Sequence, residues 1–154
     1  MYQRILVPVD GSEAGERGLK EAIGLARALS ARVRLVHVVN KTPWLYSGAP
    51  PEVINQLLDQ LRSTGESILH EATTALRVGG VEVDHRLIEA PGERAGEFIL
   101  AAARDWPAEL IVCGTHGLRG LRRVLMGSDA EYLVSHSPVP VLLVRGHKPP
   151  PPPA

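Results

Sequence analysis

A chain of 154 residues fits one domain, and at this length folding buries roughly 70 per cent of the surface of the unfolded chain, so one core suffices without staples. Seventeen Lys and Arg against seventeen Asp and Glu give zero net charge, which excludes the broad electropositive footprint of a nucleic-acid binder. The single cysteine, Cys113, excludes an intramolecular disulfide and points away from an oxidising compartment.

The first element is a short unbroken apolar run, Ile5 to Val9, which reads as a strand buried on both faces and ends in the turn Asp10-Gly11-Ser12. The run is too short for a signal-peptide core, and no later stretch approaches the length that crosses a bilayer. The expectation is a soluble, cytoplasmic protein with no membrane or nucleic-acid partner. Ser12 is placed to cap a helix whose first turn holds Glu13 and Glu16, and Leu19, Ala22, Ile23, Ala26 and Leu29 recur at helical spacing. Val33 to Val39 is a second strand, and Trp44 to Pro51 reads as a surface loop. A long helix follows, with Ile54, Leu57, Leu58, Leu61, Ile68, Leu69, Ala72, Ala75 and Leu76 in one stripe, stopped by Gly79-Gly80.

Val81 to Ile88 alternates apolar and charged residues, as a half-exposed strand near a sheet edge does. Ala95, Phe98, Ile99 and Ala102 mark the next helix, and Leu110 to Cys113 a fourth buried strand. A loop opens at Gly114, a short helix runs from Gly127-Ser128 to about His136, and Val139 to Val144 is the last strand, with Pro140 near its start. The run Pro149 to Pro153 lacks the donors to join a ladder or a helix. Residues 147–154 are therefore expected to form a solvated tail outside a single domain of residues 1–146.

Strands alternating with helices call for a parallel sheet, so the fold class is α/β: five parallel strands and about four helices in a doubly wound, three-layer α/β/α sandwich of Rossmann-like form. In such sheets a ligand sits at the carboxyl ends of the strands where the strand order reverses. A fourth strand beside the first brings Asp10 and Gly114 into that crevice. The loop itself reads Gly114-Thr115-His116-Gly117, nine residues from Leu118 to Met126, then Gly127-Ser128. Bare backbone at three glycines, a helix start with unpartnered amides and the Ser128 hydroxyl make a cradle for phosphate. Arg119, Arg122 and Arg123 stand ready to offset its charge, or form a solvated face.

The pattern G-x2-G-x9-G-[ST] after the fourth strand resembles the ATP-binding signature of the universal stress protein family. Ile5-Leu6-Val7-Pro8-Val9-Asp10-Gly11-Ser12 resembles that family's first strand and turn, and Ser137-Pro138-Val139-Pro140-Val141-Leu142-Leu143-Val144 its closing strand. The likeness spans about Tyr2 to Arg145 and implies the adenine nucleotide alpha hydrolase-like variant of the fold, with ATP as ligand and Mg2+ as a companion the sequence leaves unassigned. It places Pro8, Val9 and Asp10 at the nucleoside and Val38 or Val39 at the adenine. Gly114, His116, Gly117, Arg119, Gly127, Ser128 and the backbone of Asp129 and Ala130 fall on the phosphate side. It also implies a homodimer paired along Val139 to Val144. Two departures stand out: Ala130 lacks the hydroxyl some members carry, and Asp129 brings a negative charge toward the phosphates unless it turns away.

Other readings of single residues stay open. Asp10 also suits a turn-forming role with Ser12, Cys113 a small core residue, and Trp44 and Tyr46 a cover for the sheet edge or a border of the adenine pocket. For the whole chain, three functions compete: a nucleotide-dependent regulatory protein read by an unidentified protein partner, a slow ATP hydrolase, and a nucleotide-free interaction protein. Against an enzyme stand the absence of G-x4-G-K-[ST] and of the S-G-G-x-D-S and H-x-G-H motifs of related adenylyl-transfer enzymes, and lysines only at Lys20, Lys41 and Lys148. The three glycines and Ser128 favour the first function over the third.

Overall fold

The structure, a computed structural model, describes residues 1–92, 94–115, 128–146 and 153, with Ser128 described in its backbone only. His116, Gly117, Arg119, Arg122, Arg123, Gly127 and the proline tail lie outside these residues.

Strand β1 (Arg4–Pro8) leads into helix α1 (Glu13–Leu29), then β2 (Arg32–Asn40), the single turn α2 (Thr42–Leu45) and the long α3 (Pro51–Val78). The order continues with β3 (Val83–Ala90), α4 (Ala95–Asp105), β4 (Leu110–Thr115), α5 (Ser128–His136) and β5 (Val141–Arg145). All four strand pairings are parallel, in the order β3-β2-β1-β4-β5. The chain winds outward from β1 to β3, returns to β4 beside β1, and winds the other way to β5. The reversal falls between β1 and β4, as the alternation of elements predicts.

The alternation of side chains sorts the strands into two cores. Ile5, Val7, Val33, Leu35, Leu110 and Val112 pack under α1 and α3, against Ala22, Ala26, Leu69, Ala72 and Leu76. Leu6, Val36, Ile111 and Cys113 point the other way, to Ile99, Leu100 and Ala103 of α4 and Leu133 of α5. Each such aliphatic side chain, taken wholly out of water, contributes about 1.5–3 kcal/mol before chain entropy is counted. Between their ends, β1 and β4 therefore have no polar position to offer. Chemistry is confined to the strand ends.

Several boundaries differ from the sequence expectation. The predicted loop Trp44 to Pro51 begins instead with α2, whose Pro43 suits a first helical turn, and α3 starts at Pro51, three residues before the predicted Ile54. Among the described residues helices therefore number five, not about four. The third strand starts at Val83 and not Val81, because Val81 donates its amide to the carbonyl of Leu76 and closes off α3. The last strand starts at Val141 and not Val139: Pro140 contributes only its carbonyl, to the amide of Ile111, and Ser137 takes up the amide and carbonyl of Val139 in a turn.

The two sheet edges differ. On β3, Asp84 holds Arg34 through two bonds of 2.6 and 2.8 Å, the Arg34 guanidinium lies 4.9 Å above the Trp106 ring, and Glu89 meets Lys41 and Arg62. The strand β5 reads Val-Leu-Leu-Val-Arg, with Leu142 37 % exposed.

Candidate functional site

At the carboxyl ends of β1, β2 and β4, where the order reverses, lies a cavity of about 190 Å³. Pro8, Val9 and Asp10 form its β1 wall, Val36, His37 and Val38 its β2 wall, and Cys113 and Gly114 its β4 wall. The starts of α1, α4 and α5 close it with Ala14, Gly15, Ala95, Ile99, Asp129, Ala130 and Leu133. This volume is below the roughly 300 Å³ at which pockets for drug-sized ligands begin. It suits one flat ring with its immediate substituents, apolar on the Val36, Val38 and Ile99 side.

The turn after β1 is fixed by its own polar residues. The Asp10 carboxylate accepts the Ser12 amide at 2.9 Å and also the Ser12 hydroxyl, while the Ser12 oxygen accepts the Gly15 amide at 3.0 Å and caps α1. Gly11 sits at φ +77°, a backbone region that side chains with a Cβ rarely adopt. Both sequence readings of Asp10 thus meet in one residue: it builds the turn through one oxygen and lines the cavity.

Gly114 has a packing reason that its sequence context does not reveal. A Cβ there would stand 1.7 Å from the carbonyl oxygen of Ala14, and a Cβ at Gly18 would stand 2.6 Å from the Gly114 amide nitrogen. Two glycines let the first turns of α1 lie directly on β4. That contact holds the Asp10 turn and the end of β4 together.

Asp129 lines the cavity and is also tied to α4. Its Oδ1 accepts the amide of Gly96 at 3.3 Å, so a residue of α5 supplies α4 with the side-chain cap that Arg94, at the cap position, does not provide. Gly96 in turn makes room for Tyr132, whose Cδ1 would be 2.7 Å from a Cβ there. The carboxylate is thereby neutralised in part by a helix start.

Cys113 is 5 % exposed, and burial pushes its thiol up to about 11, so it stays protonated and inert at neutral pH. Among the described residues no group of three or more His, Cys, Asp or Glu side chains converges as a metal site would require.

Of the residues singled out in the sequence, Pro8, Val9, Asp10, Val38, Gly114, Asp129 and Ala130 line one cavity. Val39 does not. One step along β2 it falls on the opposite face of the sheet, on the side of Leu35, and is 3 % exposed. His116, Gly117, Arg119 and Gly127 lie outside the described residues, as does the side chain of Ser128. Sequence reasoning missed His37, which lines the cavity from β2, and Ala95, Ile99 and Leu133, which read as ordinary core positions.

No helix among the described residues is long and apolar enough to cross a membrane. The sequence profile of the universal stress protein family matches residues 1–145. A universal stress protein of Methanocaldococcus jannaschii is 33% identical over 149 residues, covering 96% of this chain and 85% of its own. Among solved structures, a universal stress protein family member from Burkholderia pseudomallei superposes with a TM-score of 0.74 at 34% identity, over 93% of this chain and 96% of that one. Two more distant structures share the fold. A universal stress protein in complex with cAMP has a TM-score of 0.67 at 21% identity, over 94% and 97% of the two chains. One from Arabidopsis thaliana with AMP bound has 0.69 at 16%, over 94% and 92%. With its doubly wound sheet and a family match over nearly its whole length, the chain belongs to the universal stress protein family.

Proposed function

We propose that this protein binds ATP and acts as a nucleotide-dependent regulatory protein, with occupancy of the site read by a protein partner. The observation that carries the reading is the coincidence of two independent signals. The cavity at the switch point is walled by Pro8, Val9, Asp10 and Val38, and the chain leaves it at Gly114 directly into G-x2-G-x9-G-S. The adenine fits the apolar part between β1 and β2. The phosphates go to the amides at the start of α5 and to Gly117, Gly127 and Ser128, where main-chain donors suit an anion. Asp129 lines the same cavity with its Oδ1 engaged by the Gly96 amide, which offsets part of its charge. The related structures in complex with cAMP and with AMP bound share the fold alone at their identities and do not carry the argument.

Regulation is favoured over hydrolysis because the sequence carries no G-x4-G-K-[ST] segment and neither of the motifs of related adenylyl-transfer enzymes. Mg2+, held mainly by phosphate oxygens, would arrive with the triphosphate and needs no carboxylate cage. Strand β5 supports a two-fold homodimer. It is a terminal strand, uncharged until Arg145, and such an edge pairs readily with a second copy.

The test is calorimetry with ATP on the parent and on Gly127→Glu, together with identification of any nucleotide released when purified protein is denatured. Released ATP with parent-only binding supports the reading. At 100 times the dissociation constant ATP should stabilise the fold by about 2.7 kcal/mol. The absence of both heat and a rise in melting temperature at millimolar ATP would refute it.

A further inference from the structure

The carboxyl end of β1 departs from a regular ladder in one bond. Along β2 the amides alternate in direction: Arg32 donates toward β1, to Gln3, whereas Val33 and Lys41 donate toward β3, to Glu82 and Ala90. The Val38 amide therefore faces β1. The Val9 amide reaches the carbonyl of Val36 at 2.9 Å, and one more step of a parallel ladder would send the Val38 amide to the Val9 carbonyl. Among the described residues that bond is not made, and the paired register stops at Pro8 and Val36. The Val9 carbonyl is instead taken by the His37 side chain, with Nδ1 at 2.8 Å. A carbonyl only accepts, so the neutral ring carries its proton on Nδ1.

A second feature of the fold makes room for this ring. Gly65 lies inside α3, where glycine weakens a helix. A Cβ there would stand 2.7 Å from Cδ2 of His37 and 2.6 Å from Cδ1 of Leu87. The helix is opened at the point where the imidazole passes between α3 and the end of β1.

We propose that His37 is a positioning residue of the nucleotide site: by taking the Val9 carbonyl, it keeps the Val38 amide unpaired at the cavity wall as a donor for an acceptor on the bound heterocycle. The ligand in this statement rests on the reading given above. The hydrogen-bond exchange between His37 and Val38 rests on the sheet alone. His37 also fixes the carbonyl immediately before Asp10, and so holds the turn that ends in the α1 cap.

The experiment uses the full-length parent, His37→Leu and His37→Asn, with backbone amide exchange followed by NMR without ligand. The side-chain amide of Asn can take the place of Nδ1 as donor, and Leu cannot. In the parent the Val38 amide should exchange faster than that of Val36, and long-range nitrogen spectra should show the Nδ1–H tautomer. In His37→Leu the released Val9 carbonyl should capture the Val38 amide, which slows by about tenfold, the weight of one net hydrogen bond. General loosening would drive it the other way. ATP binding should weaken by about tenfold in His37→Leu and stay within about twofold of the parent in His37→Asn. A Val38 amide that exchanges as fast or faster in His37→Leu, or an Asn variant that behaves like Leu, overturns the role. A parent that takes up no ATP refutes the nucleotide reading and the ligand acceptor with it, while the exchange rates still decide what His37 does in the sheet.

Discussion

Replacing Gly114 by alanine adds one methyl group at a point where none fits. The added Cβ would stand 1.7 Å from the Ala14 oxygen and 2.3 Å from the Ala14 carbonyl carbon. These are backbone atoms, so no rotamer relieves the clash and α1 must move off β4. Overpacking costs about 1–3 kcal/mol where side chains can adjust, and a rigid partner puts this case at about 3 kcal/mol or above. For a chain of this size, roughly 2–4 °C per kcal/mol turns that into a fall in melting temperature of about 6–12 °C. The assay is thermal unfolding followed by circular dichroism, without nucleotide, so that loss of ligand binding cannot contribute. Gly24→Ala is the internal control. It lies in α1 with nothing within 4 Å of its added Cβ, and should gain roughly 0.5–1 kcal/mol from helix propensity alone. A Gly114→Ala protein melting within about 2 °C of the parent, a shift worth less than about 1 kcal/mol, would refute the argument that α1 and β4 touch through this glycine.

The edge of β5 gives a second test. The amide of Ile111 reaches the Pro140 carbonyl, which sets the ladder so that the Leu143 amide points away from β4. Leu143→Pro should therefore keep the fold and abolish dimers in light scattering, and a variant that stays dimeric would move the interface elsewhere. A third concerns acid stability. Glu89 lies below its ordinary value of 4.5 because Arg62 and Lys41 donate to it, so its contribution is complete above pH 4.5 and lost as pH falls through the lowered value. Glu89→Gln should melt lower than the parent at pH 7, with the gap closing below pH 4, and a gap independent of pH would show that charge is not the cause. Finally, with its thiol raised to about 11, Cys113 should resist a disulfide reagent at pH 8 until the protein unfolds, and rapid stoichiometric labelling of the native state would contradict its burial.

The fold was legible because its signals are local. The strands β1 and β4 are unbroken apolar runs, β2 is rich in β-branched residues, the long helices carry apolar stripes, and Ser12 and Gly79-Gly80 mark helix ends by their own chemistry. What escaped depends on partners distant in sequence or on spacing too short to show a period. A four-residue helix at Thr42–Leu45 has no stripe to read. Val38 and Val39 are equivalent as neighbouring apolar residues, and only the pleat decides that Val38 faces the cavity while Val39 faces the other way. Gly114 reads as part of a phosphate loop, yet the atom it must avoid belongs to Ala14, at the other end of the chain. His37 carries no local mark at all, since its meaning comes from the Val9 carbonyl, 28 residues away.

The unlike edges of the sheet set a limit on how copies of this chain can accumulate. The β3 edge carries Asp84, His85, Arg86 and Glu89 within eight residues, with Asp84 ion-paired to Arg34 and Glu89 to Lys41 and Arg62, so a strand arriving there would have to strip water from charges already engaged. Only β5 offers a bare row of main-chain groups. A sheet that accepts a neighbour on one side alone cannot propagate: once β5 has met its like, the joined sheet ends in two charged borders. In the proposed dimer, growth into fibres would thereby be arrested after the first addition.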